Sequence, residues 1–119
     1  MRLTQPLTIL VGYPAGGDTD RVARIVGDKL KDELGVPVIV ENKLGAGGRV
    51  SAQLAKKAAP TDNVLLIGNP AMMVISPLVM SDIGYDPAKD FKIVSMVSNY
   101  RFAIAVANEA KVNLSLIHI

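Results

Sequence analysis

Two short glycine-rich stretches hold the residues best suited to chemistry in this 119-residue chain: Tyr13-Pro14-Ala15-Gly16-Gly17 and Gly45-Ala46-Gly47-Gly48. Glycine has no Cβ, so backbone N–H groups in such a loop can come close to a ligand. A helix that starts after the loop adds the positive end of its dipole. Together these features suit the capture of an anionic group, a phosphate or a carboxylate, by backbone amides. Such glycines also serve simply to make a strand-to-helix turn, but two of these turns on one sheet edge favour a site. Asp18 and Asp20 follow the first loop directly. Near a bound anion they would repel it, so one is expected to cap the helix and the other to face solvent. Arg21 and Arg24 could offset their charge, although surface positions are the simpler reading.

Covalent and metal chemistry find little support. Zero cysteines exclude a disulfide framework, a thiolate zinc site and a Cys nucleophile. The one histidine, His118, would have to carry any Ser-His-Asp triad. Ser76, Ser81, Ser95 and Ser98 lack a G-x-S-x-G setting. The carboxylates show no metal-ligand spacing, and Met72-Met73, adjacent on a helix, point different ways and read as packing. No catalytic residue, metal ligand or cofactor is identified. A Rossmann-like nucleotide-binding enzyme domain is the alternative, because Glu41 ends a strand about where a ribose-binding acid should lie. Its fingerprint is incomplete. Gly12-Tyr13-Pro14-Ala15-Gly16-Gly17 is not G-x-G-x-x-G, and the second loop has Val50 where the last glycine belongs. There is no P-loop motif either.

The elements that must position these loops can be read from periodicity. Thr8–Val11 is a buried strand bounded by Pro6 and Gly12. A helix follows, with Val22, Val26, Leu30 and Leu34 repeating every four residues, Ile25 widening the stripe and Gly35 as its stop. Val36–Val40 is a second strand, Arg49–Ala59 a second helix ending near Pro60, and Val64–Ile67 a third strand. Ala71–Met80 is expected to be a short helix broken by Pro77. Ser81–Lys92 reads as a polar loop, and Ile93–Val97 and Phe102–Val106 as two further strands. Two successive βαβ units imply an α/β fold with a mostly parallel sheet and flanking helices. In such sheets ligands bind outside the carboxyl ends of the strands, which here are left by Tyr13–Asp20, Asn42–Gly48 and Gly68–Ala71.

Composition narrows the partners. Thirteen Lys+Arg against eleven Asp+Glu give a net charge of +2. That is too weak and dispersed for a nucleic-acid surface. Half the residues are apolar, mostly Ala, Val, Ile and Leu, which marks a globular core rather than disorder. No apolar run reaches the ~18–20 residues of a membrane helix. The start, Met1-Arg2-Leu3-Thr4-Gln5-Pro6, has no signal-peptide pattern, so the chain is either cytosolic or begins after its true start.

The motifs taken in order resemble a known family. Tyr13-Pro14-Ala15-Gly16-Gly17 with Asp20 and Ala23-Arg24 is similar to a P-x-G-G-x-x-D-x-x-A-R opening. Val38-Ile39-Val40-Glu41-Asn42-Lys43 and Gly45-Ala46-Gly47-Gly48 resemble V-V-V-E-N-[RK]-P-G-A-G-G. Pro77-Leu78 and Tyr85-Asp86-Pro87-Ala88-Lys89-Asp90-Phe91 resemble N-P-x-L and Y-D-P-x-K-D-F. This succession, from about Thr8 to Val106, resembles the Bug-type extracytoplasmic solute receptors, the substrate-binding proteins of tripartite tricarboxylate transporters. Leu44 replaces the proline before the second glycine turn, Ser76 the Asn of N-P, and Thr61-Asp62-Asn63 stands where the family tends to have P-D-G-Y.

The resemblance implies a periplasmic protein of the type II binding-protein fold, two-lobed, that closes on a small carboxylate without catalysing a reaction. Its partners would be the ligand and membrane transporter subunits, with no nucleic acid and no insertion into the membrane. It assigns Pro14, Gly16 and Gly17 to the ligand loop and Asp20 to the family's acid, as a helix cap. Asn69, Pro70 and Ala71 join them by position on the third strand-end loop. With their loop neighbours, the expected binding residues are Tyr13, Pro14, Ala15, Gly16, Gly17, Thr19, Asp20, Gly47, Gly48, Asn69, Pro70 and Ala71. A related two-lobed effector-sensing domain of a transcription regulator is a third reading, with no helix-turn-helix preceding it. Such receptors are longer than this chain, so residues 1–113 are expected to be an incomplete first lobe. Leu114-Ser115-Leu116-Ile117-His118-Ile119 matches what a common DNA-library adaptor encodes in frame, and is expected to be a non-native tail.

Overall fold

The computed structural model describes residues 3–109. Three parallel strands form one sheet in the order β2-β1-β3: β1 (Leu7–Val11), β2 (Val38–Asn42) and β3 (Val64–Ile67). Leu7 to Val11 pair with Val38 to Asn42, and Thr8 to Val11 with Val64 to Ile67. Because all three strands run the same way, their carboxyl ends share one edge. β1 is central and apolar throughout except Thr8, as a strand covered on both faces must be.

Alternation along the strands sends side chains into two cores. On one face Ile9 and Val11 pack with Ala23, bordered by Leu30, Val38, Val40, Leu65 and Ile67. On the other, Ala52, Met72, Ile83 and Tyr85 cluster, bordered by Leu66, Met73 and Phe91. Leu66 faces one way and its neighbours Leu65 and Ile67 the other, as period-two geometry requires.

The first helix, α1 (Asp18–Leu34), ends at Gly35 as expected. Gly35 takes a left-handed conformation and its N–H donates to the Lys31 carbonyl at 3.0 Å. The face it buries is not the four-residue apolar stripe. Asp20, Ala23 and Gly27 are buried, Val22 and Val26 only partly, and Ile25 is 64 % exposed. A Cβ at Gly27 would meet Val38 Cγ1 at 3.3 Å and Ile9 Cδ1 at 3.5 Å. Small residues therefore let the helix axis approach the sheet, and the larger apolar residues flank the contact.

β2 sits two residues later than the pattern suggests. Pro37 has no N–H for a ladder, so pairing begins at Val38 and runs on through Glu41 and Asn42. α2 (Arg49–Lys57) stops two residues short of the expected end. Pro77 does not break the next helical stretch. Ala71–Ile75 is a wide turn in which the Ser76 N–H reaches back five residues to the Ala71 carbonyl, and α3 (Ser76–Val79) continues from it. The wider turn gives the proline ring room where an ordinary helix would clash. The segment read as a polar loop contains α4 (Pro87–Asp90). Asp86 caps it, accepting from the Ala88 and Lys89 N–H groups, while the Asp90 carboxylate accepts from the Asp86 N–H.

The two late strands are not formed. Residues 93–97 and 102–106 carry no strand pairing and stand exposed, with Phe102 at 85 % and Ile104 at 87 %. An apolar run becomes a strand only against a second backbone that takes its N–H and C=O groups. Among the described residues, no strand pairs with β3 on its outer edge. The expected tail, 114–119, with His118, lies outside the described residues.

Candidate functional site

The edge where the three strands end gathers the three loops. The first two are joined directly. The Tyr13 hydroxyl donates to the Gly47 carbonyl at 3.1 Å, and its ring lies over Gly48, where a Cβ would meet the ring at 3.3 Å. Below them Gly12 touches Gly48. A Cβ on Gly12 would stand 2.5 Å from Gly48 Cα and 2.7 Å from Ser51 Oγ, so β1 and the start of α2 approach as only bare backbone permits. The Ser51 hydroxyl, fully buried, donates to the Gly48 carbonyl at 2.6 Å. The third loop joins through the turn Ala71–Ile75, which packs on Ala46–Gly48.

The first loop opens straight into α1. Gly17 is the residue before the helix and provides no side-chain cap. The helix therefore presents first-turn N–H groups, those of Asp18, Thr19 and Asp20, at its positive end. Gly16 has a φ of +85°, and a Cβ there would meet nothing within 4 Å. Another residue would be strained there, and the space in front of its Cα is open, while its N–H is held by Asp20. Gly47 is alike, with a φ of +66° and open space before it.

Asp20 departs from its expected place as the helix cap. It stands in the first turn, 1 % exposed, and its carboxylate reaches back to accept from the Gly16 N–H at 2.8 Å. It also accepts from Arg24 Nε at 2.9 Å and from Asn42 Nδ2 at 2.9 Å. The bonds from Arg24, Gly16 and Asn42 hold its carboxyl well below the usual carboxylate range, against the opposing effect of burial. Arg24 is half-exposed, and Asp20 raises its affinity for the proton. The pair cancels the charge of Asp20 at the loop, whereas Asp18, the first residue of the helix, is exposed, does not cap it, and has no ion-pair partner among the described residues. Glu41, the acid of the nucleotide-binding alternative, pairs with Lys43 at 3.0 Å.

Ten of the twelve expected site residues, all but Asn69 and Pro70, fall on the uncapped start of α1, the joined glycine loops or the turn packed on them. The Asn69 side-chain oxygen accepts from the Met72 N–H at 3.0 Å. Pro70 has no N–H to offer. Sequence reading missed Gly12, Asn42 and Ser51. Asn42 was visible as part of the E-N-K motif, but its role depends on the parallel pairing that sets it beside Val11. Arg49, the first residue of α2, follows the second glycine loop, but its guanidinium lies against Met80 Sδ. Among the described residues no three His, Cys, Asp or Glu side chains gather to hold a metal. A groove lined by Lys56, Met80, Ile83 and Tyr85 includes none of the three loops.

A parallel sheet whose strand ends carry amide-lined loops is the arrangement of one lobe of a periplasmic binding protein, and solved structures, one of them of that class by name, match it. MatC from Rhodopseudomonas palustris with bound malate superposes with a TM-score of 0.75 and 33 % identity, over 79 % of this chain and 32 % of that one. The periplasmic binding protein BugD gives 0.70 and 32 %, over 75 % and 29 %. An R. palustris protein with adipate gives 0.67 and 30 %, over 71 % and 28 %. Residues 22–115 match the sequence family described as tripartite tricarboxylate transporter family receptor, and the chain belongs to that family. A Cupriavidus necator protein from the gbd 5' region is 36 % identical over 108 residues, 91 % of this chain and 32 % of its own length. BugT of Bordetella pertussis is 34 % identical over 110 residues, 92 % and 34 %. The chain thus spans about a third of the length of the curated relatives it matches.

Proposed function

We propose that this chain forms the ligand-capturing edge of an extracytoplasmic solute receptor. It binds a small di- or tricarboxylate and delivers it to the membrane subunits of a tripartite tricarboxylate-type transporter. The carrying observation is the uncapped start of α1 beside Gly16 and Gly17, with Asp20, the buried acid of its first turn, paired to Arg24. Family membership and two neighbours holding malate and adipate support the same ligand class. The work is binding and release by lobe closure, not catalysis, and it takes place in the periplasm without nucleic acid or membrane insertion. Nothing favours the nucleotide-binding alternative, whose third fingerprint glycine is Val50.

Residues 1–113 are read as part of a first lobe and 114–119 as adaptor-encoded. Sequencing the source DNA through the codon for Ile119 tests both; codons unlike the adaptor remove the second. The binding reading is tested by titrating malate and adipate into the isotope-labelled chain and following its amide resonances. One lobe supplies half a clamp, so weak binding is expected, with shifts at Gly16–Asp20 and Gly47–Arg49. NAD or ATP perturbing these amides while both carboxylates leave them still would overturn it.

A further inference from the structure

We propose that Asn42 is the positioning residue of this cleft, a role that rests on the carboxylate-binding reading above. Its side-chain amide leaves the end of β2 and touches two other elements. One hydrogen of Nδ2 goes to the Tyr13 carbonyl at 2.9 Å, on the first loop. The other goes to Asp20 Oδ1 at 2.9 Å, on α1. Both donors are used, and a carboxylate at this position could supply neither bond. Arg24 Nη2 approaches the amide oxygen at 3.5 Å and closes the ring of contacts.

The consequence reaches the ligand loop through Asp20. Its Oδ2 is shared by Gly16 and Arg24, and its Oδ1 has Asn42 as the only partner among the described residues. Without the amide, a buried carboxylate oxygen is left without a donor, which is costly enough to turn the side chain. Turning it releases the Gly16 N–H, and the Tyr13 carbonyl loses its tether as well. Asn42 thus fixes the loop before a ligand arrives, so that the N–H groups at the start of α1 are already aimed. A ligand then need not order the loop on binding.

The test compares three variants of the chain. Asn42→Ala removes the amide. Asn42→Asp keeps its size but sets a second carboxylate against Asp20. Leu30→Ala trims a side chain that packs on the sheet near the far end of α1, away from the loops, and serves as a control for stability alone. Malate affinity is read by titration, and loop order by hydrogen exchange in the ligand-free chain. Asn42→Ala is expected to weaken malate binding roughly tenfold, Asn42→Asp more, and Leu30→Ala not at all. Exchange at Gly16 should quicken by roughly tenfold in the two Asn42 variants only. If Asn42→Ala lowers the melting temperature as the control does, yet leaves affinity and Gly16 exchange unchanged, the proposal fails. If the unaltered chain binds neither malate nor adipate, the carboxylate reading fails, and the exchange rates alone still decide whether Asn42 holds the loop.

Discussion

The first glycine loop and the segment 93–106 make opposite use of their residues. The loop, Tyr13–Gly17, has little to bury, yet it is fastened at several points. Tyr13 bonds to Gly47, Asn42 to the Tyr13 carbonyl, Asp20 to the Gly16 N–H, and the Gly17 N–H to the Pro14 carbonyl. The segment holds Ile93, Val94, Met96, Phe102 and Ile104, all largely exposed, and pairs with no strand. Apolar content is thus a poor guide to order here. What matters is whether each backbone polar group finds a partner, and the loop has partners from a strand, a helix and the second glycine loop.

The largest test of this contrast lies beneath the loops. Gly12→Val should cost about 3 kcal/mol, because the new side chain meets backbone at Gly48 that cannot swing aside. Chemical denaturation measures it, and a loss near zero would mean that the two loops are not pressed together. Next comes acidity. The Asp20 carboxyl is depressed by Arg24, Gly16 and Asn42, so its contribution to stability is present above about pH 4 and lost as pH falls toward the lowered value. Asp20→Asn should be less stable at neutral pH, with a melting temperature that falls less between neutral and strongly acidic pH. An unchanged acid profile would show that Asp20 does not fasten the loop.

Gly16→Ala probes conformation without crowding. At a φ of +85° and with open space ahead, alanine should cost about 1 kcal/mol through backbone strain alone. The smallest effect belongs to the other side of the contrast. Ile104→Asp should change stability by no more than about 0.5 kcal/mol, as at an exposed site away from any special feature. A larger loss in a melting experiment would show that the segment packs after all and would break the comparison.

The strands and helices near the start of the chain were legible because local chemistry dictates them. Val64–Ile67 fell where expected, and Gly35 ended α1 as its left-handed conformation demands. Motif order also exposed the family and the glycine loops. Errors came where a partner decides. Pro37 shifted β2, the wide turn at Ala71–Ile75 absorbed Pro77, and the late strands found no neighbour. Asp20 looked like a helix cap because sequence shows a carboxylate near a helix start, not the burial that turns it back to Gly16.

The amino-acid order by itself determined the α/β class, the glycine turns at two strand ends and the absence of cysteine chemistry. Those properties follow from local propensity and residue type. Only the tertiary structure decided that Asn42 stands beside Tyr13 and Asp20, that Gly12 lies against Gly48, and that Tyr13 bridges to Gly47. These contacts join residues up to 36 positions apart, from Gly12 to Gly48. They exist because parallel pairing of β1 with β2 brings Val11 beside Asn42, a register that no single stretch of the chain encodes alone.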